Sequence, residues 1–138
     1  MSEDGFEEFE HPADWGLRVR GANHAALFVA AARGMFSLLT DVSPVDATQR
    51  FELELEALDT ATLLIDWLNE LLYLAEDNAI VFKHFTIHEL DADHARLRAS
   101  ASGGPPTRLD KTIKAATFSG LCIAHDAHGY SVEIVFDV

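Results

Sequence analysis

The chain has 138 residues, 49% of them hydrophobic, which is enough for one compact domain with its own core. Ten Lys and Arg against 23 Asp and Glu give a net charge of −13, a surface that repels phosphate backbones and argues against direct nucleic-acid binding. A single cysteine, Cys122, excludes an internal disulfide and a thiolate zinc cluster.

The amino terminus, Met1-Ser2-Glu3-Asp4-Gly5, has neither the basic nor the apolar region of a secretory signal. The longest apolar run, Ala25 to Ala32, is far short of the ~20 residues that span a bilayer. A soluble, cytoplasmic protein without a membrane partner is the expectation.

Phe6 to His11 reads as a first strand, followed by a break at Pro12-Ala13-Asp14. In the next run Trp15, Leu17 and Val19 alternate with Gly16, Arg18 and Arg20, the period of a half-buried strand. From Asn23, an N-cap residue, to Leu39 the period becomes helical. Leu27, Phe28, Ala31, Ala32, Met35, Leu38 and Leu39 form its apolar stripe. Thr40 to Thr48, with Pro44, reads as a loop. Phe51, Leu53, Leu55 and Ala57 then alternate with Glu52, Glu54 and Glu56, a strand with one wet, acidic face. Asp59 or Thr60 caps a second helix with the stripe Leu64, Trp67, Leu68, Leu71, Leu72 and Ala75.

The remainder reads as antiparallel sheet. Phe85 and Ile87 lie on one strand, and an Asp91-Ala92-Asp93 turn leads to Ala95, Leu97, Ala99 and Ala101 alternating with His94, Arg96, Arg98 and Ser100. Ser102-Gly103-Gly104-Pro105-Pro106 is the strongest loop signal. One long strand from Ile113 to Ala124 is expected, with a bulge at Gly120, and His128-Gly129 turns it back into Tyr130 to Asp137. The fold class is α+β: a single domain over residues 1–138, two helices packed with antiparallel β-sheet.

Three segments together resemble the archease family. The first is His11-Pro12-Ala13-Asp14-Trp15-Gly16, similar to H-x-A-D-x-G. The second is Leu63 to Leu74, similar to the family's central helix. The third is Lys114-Ala115-Ala116-Thr117 with Gly120-Leu121 and the terminal Phe136-Asp137-Val138. Their order and spacing cover nearly the whole chain. The sequence departs from the pattern at Pro12, at Trp15, at Phe118-Ser119 in place of Tyr-His, and at Gly103-Gly104-Pro105-Pro106, which lacks the Gly-Glu.

The resemblance implies an activator of an RtcB-type RNA ligase in tRNA splicing and RNA repair, with no catalysis of its own. It would promote guanylylation of the ligase and multiple turnover, and RNA would be contacted only through the ligase. It implies Asp14, Lys114 and Asp137 as the activating residues. Asp14, Asp137 and the terminal carboxylate of Val138 would be the donors to a divalent metal ion. Calcium comes first, with manganese or magnesium as the other oxygen-seeking ions. Three donors are fewer than calcium takes, so water or a partner would complete the shell.

Each residue also has a plainer reading. Asp14 is a turn aspartate, Asp137 a solvated carboxylate at a strand end, and Lys114 an edge-strand lysine that blocks aggregation. A zinc site from His11, His125 and His128 has no cysteine support. Asp66, Asn69, Glu70 and Tyr73 face away from the apolar stripe of the second helix and read as a solvated face, with a docking or metal-adjacent surface as the functional alternative and Asp66 open to a buried polar role. Trp67 reads as core, and Cys122 as a buried small residue. The rival functions are a general chaperone-like or metal-binding module, and an independent enzyme, although no phosphate loop, nucleophile elbow or H-E-x-x-H is present.

Overall fold

In the computed structural model, residues 5–11, 14–109, 111–117 and 122–138 are described, with residues 9–11 and 14 described by their main chain alone. The strands are β1 (Gly5–His11), β2 (Asp14–Gly21), β3 (Gln49–Glu56), β4 (Val81–Asp91), β5 (Arg96–Gly104), β6 (Ala115–Thr117), β7 (Ala124–Asp126) and β8 (Gly129–Asp137). The helices are α1 (His24–Leu39), between β2 and β3, and α2 (Thr60–Asn78), between β3 and β4. Among the described residues every strand pairing is antiparallel. The larger sheet runs β1-β2-β8-β6, with β7 also on β8, and the smaller runs β3-β5-β4.

Both helices start where a side chain replaces a missing main-chain acceptor. Asn23 accepts from the Ala26 N–H at 2.8 Å, and Asp59 from the Thr62 N–H at 2.7 Å. The stripe of α1 is buried as its spacing predicts, and α2 buries Leu63 and Ile65 in addition to most of its own stripe. The reason is that α1 packs on β1, β2, β8 and β4, while α2 packs on β6, β3 and β4. Each helix touches both sheets, so each needs a wider apolar surface than one stripe. Phe36, Phe82, Phe85 and Trp67 fill the middle with tilted and edge-on ring contacts.

Two sequence expectations are corrected here. The Ser102-Gly103-Gly104 signal is strand, not loop: β5 continues to Gly104, paired to β3 and β4. A Cβ on Gly103 would collide with the Val81 carbonyl oxygen, and one on Gly104 with that of Asp46. The glycines admit neighbouring backbone rather than break the strand. Among the described residues the expected Ile113–Ala124 strand is interrupted: 113–114 and 122–123 are not strand, and β6 and β7 are short. Thr117 pairs with Val135 and Ala124 with Ser131, so seven steps on one side face four on β8 and a continuous ladder is impossible. The Gly120 bulge and the Phe118-Ser119 and Leu121 positions lie outside the described residues.

Smaller differences have local causes. Ser100 is buried on the polar side of β5, beside His88 Nε2 at 3.1 Å. Ala95 belongs to the turn before β5, with φ +49, and is still buried. Cys122 is exposed, not buried.

Candidate functional site

The site is set by how three strand ends meet. β2 and β8 pair with Trp15 opposite Phe136, and one step further along that register come Asp14 and Asp137. On the other side of β8, Asp137 pairs with Ala115, the first residue of β6. The Lys114 N–H donates to the Asp137 carbonyl at 2.8 Å. Sequence positions 14, 114 and 137 therefore converge at one end of the larger sheet. Lys114 precedes β6 rather than lying within a long strand, and its side chain, like that of Asp137, is exposed. Val138 is exposed beside them.

Among the described residues no group of three or more His, Cys, Asp or Glu side chains is set to hold a metal. The oxygen groups that the resemblance implies as donors are the Asp137 carboxylate, exposed at the end of β8, the terminal oxygens of Val138, and Asp14 at the start of β2, whose side chain lies outside the described residues. These are hard oxygen donors. They fit calcium, magnesium or manganese and offer nothing that selects a soft or thiophilic ion.

The histidines are divided between the two ends of the sheet. His11 pairs with Asp14 at this end, whereas His125 and His128 sit at the β7–β8 hairpin, at the start of the nine-residue β8. At about 3.4 Å per residue the length of β8 keeps them apart, so they do not form one zinc site. His125 instead stacks on Tyr130, with centroids 4.2 Å apart, and His24 packs on the same ring at 4.0 Å. Burial, and then the charge of His125, hold the His24 imidazole below its usual value.

Two neighbours of the tip escaped the sequence reading. The Lys111 ammonium stands 3.0 Å from the centre of the Trp15 ring, one residue from Asp14. The only sequence signal was its spacing of three from Lys114. Asn69, read as part of a solvated face, is half-buried and bonded in both directions to the Ala116 main chain. Its Oδ1 accepts from the Ala116 N–H at 2.8 Å, and its Nδ2 donates to the Ala116 carbonyl at 3.2 Å. Asp66 lies one turn earlier on the same side of α2, where burial raises its carboxyl pKa. Tyr73 is exposed, as a solvated face requires, whereas Glu70 is half-buried.

An α+β chain with two helices held between antiparallel sheets, ending in this three-strand tip, matches one family over residues 6–138, the Archease protein family (MTH1598/TM1083). The archease of Methanosarcina barkeri is 31% identical over the whole of both chains. That of Methanosarcina acetivorans is 34% identical, covering 96% of this chain and 95% of the relative. The solution structure of Methanobacterium thermoautotrophicum protein 1598 superposes with a TM-score of 0.80 at 28% identity, over 97% of this chain and 99% of that one. A Thermotoga maritima crystal structure described as an archease and possible chaperone shares the fold, with a TM-score of 0.63 at 20% identity and 96% of each chain covered. The chain belongs to the archease family. No helix is long and apolar enough to cross a membrane among the described residues.

Proposed function

We propose that this protein is a cytoplasmic activator of an RtcB-type RNA ligase in tRNA splicing and RNA repair, acting through the tip where β2, β6 and β8 meet. The observation that supports this reading most is the register that sets Asp137 between the start of β2 and the start of β6. In this reading Asp14, Asp137 and Val138 hold a divalent cation, calcium first and manganese or magnesium next. When bound, the cation supplies positive charge where a phosphoryl group is transferred.

The chain's own residues do the rest. A protein of net charge −13 is drawn to the basic nucleotide site of a ligase and repelled by RNA itself, so RNA is met only through the ligase. Lys114, a compact point charge on a flexible stem, meets a phosphate or a ligase carboxylate. Its main chain is fixed by the bond to Asp137, so lysine and carboxylate arrive together. The protein has no turnover of its own in this reading; it positions groups in another enzyme's site.

The test is transfer of labelled GMP onto an RtcB-type ligase with GTP and manganese, at substoichiometric levels of this protein. Wild type should accelerate labelling and repeated ligation, and Asp137→Asn should lose the stimulation with an unchanged circular dichroism spectrum. Full stimulation by the variant would rule out the acidic tip. Stimulation of unrelated clients without GTP or metal would favour the chaperone-like reading, which the description of the Thermotoga maritima protein as a possible chaperone suggests.

A further inference from the structure

We infer that Asn69 is a positioning residue for the tip: it closes the free edge of β6 and so holds Lys114 and Asp137 in register. The inference rests on the tip being the working site, and deepens that reading. Among the described residues β6 spans the three residues Ala115–Thr117 and pairs with β8 alone. In an antiparallel strand the N–H and C=O of one residue point to the same side. Those of Ala116 are both taken by the Asn69 side chain, so they face away from β8. Ala116 is buried, with 4% of its surface exposed, which leaves those two groups with little access to water.

An amide side chain is the one neutral group that carries a carbonyl and an N–H side by side, like a strand's own backbone. Asn69 therefore acts as a one-residue neighbouring strand supplied by α2. The residue before Ala116 pairs with Asp137, and the residue before that, Lys114, bonds the Asp137 carbonyl. Through Asn69 the packed helix α2, anchored by Trp67 and Leu68 on the core, fixes the β6–β8 ladder where it reaches the tip. Loss of the amide leaves two buried main-chain groups without partners, and the cheapest escape for a three-residue strand is to leave the sheet.

The test is amide hydrogen exchange of the full-length, 15N-labelled chain with calcium titration by calorimetry. Asn69→Ala should accelerate exchange of the Ala116 and Lys114 amides at least tenfold, with Leu53 and Ala99 in the smaller sheet unchanged. Calcium affinity should fall at least tenfold. Asn69→Asp keeps the acceptor for the Ala116 N–H and loses the donor, so it should protect Ala116 and give an intermediate effect at Lys114. This milder variant decides the matter if Asn69→Ala fails to fold. Unchanged Lys114 exchange overturns the proposal, as does uniform acceleration of every amide, which marks a merely structural residue. If wild type binds neither calcium nor manganese, the metal reading of the tip fails, while the exchange pattern still decides the role of Asn69.

Discussion

The indole N–H of Trp67 on α2 donates a buried hydrogen bond of 3.0 Å to the main-chain carbonyl of Phe28 on α1. Both side chains are fully buried, so the bond ties the two helices where water cannot replace it. Trp67→Phe removes the donor and leaves a partial void. It should cost about 2–3 kcal/mol, the sum of a lost buried hydrogen bond and a modest cavity. Urea unfolding should show a lower midpoint at an unchanged slope, and a loss below about 0.5 kcal/mol would show that Phe28 does not depend on this partner.

Gly103 sits on the central strand of the smaller sheet, paired with Gln49 on one side and Phe82 on the other. A Cβ there runs into the Val81 carbonyl oxygen and the Phe82 main chain, neither of which is a flexible side-chain end. Gly103→Ala should therefore destabilise by at least about 2 kcal/mol, despite alanine being the better residue for an ordinary strand. A thermal melt decides this, since a variant melting with wild type would mean that β4 yields freely.

That position also shows where sequence and structure part. A Gly-Gly-Pro-Pro run is a loop by local chemistry, and its two glycines are strand because they admit the close approach of β4 and of the Asp46 carbonyl. Helix caps and stripes were legible because they are local: Asn23, Asp59 and the spacing of three and four leave their mark within one turn. Asp14, Lys114 and Asp137 could be nominated from motifs. Their convergence could not, because it depends on two strand registers, of which β2–β8 joins residues at opposite ends of the sequence. Asn69 was invisible for the same reason: an amide on a helix shoulder reads as solvated until the strand it completes is in place. Lys111 needed Trp15 beside it to be noticed at all.

His24, packed on the Tyr130 ring, gives the fold a pH dependence. His24 opens α1, where the helix N-terminus opposes positive charge, and its pKa lies below the ordinary 6.5 through burial and the charge of His125. The native state thus binds fewer protons than the unfolded chain as pH falls through 6.5. Stability should rise with pH across this window, with no effect well above 6.5 and the full penalty below the folded value. Replacing His24 by Gln removes the titration, so the variant should gain on wild type at pH ~5 relative to pH ~8. Paired urea midpoints that differ equally at both pH values would show that His24 titrates as in the unfolded chain.

Trp15 offers a built-in report on the tip. It stands one residue from Asp14, opposite Phe136 next to Asp137, with the Lys111 ammonium over its ring at 3.0 Å. The second tryptophan, Trp67, is fully buried between the helices and serves as an internal constant. A half-buried cation–π contact contributes about 0.5–1 kcal/mol, small enough for a nearby charge to change it. A divalent cation binding between Asp14 and Asp137 adds positive charge beside Lys111 and should push the ammonium off the ring. Calcium should therefore change Trp15 emission in wild type, and the change should saturate with the calorimetric binding curve. Asp137→Asn should abolish the response, and Lys111→Met should bind calcium with little change in emission. A calcium response that survives Asp137→Asn would put the cation elsewhere on the molecule.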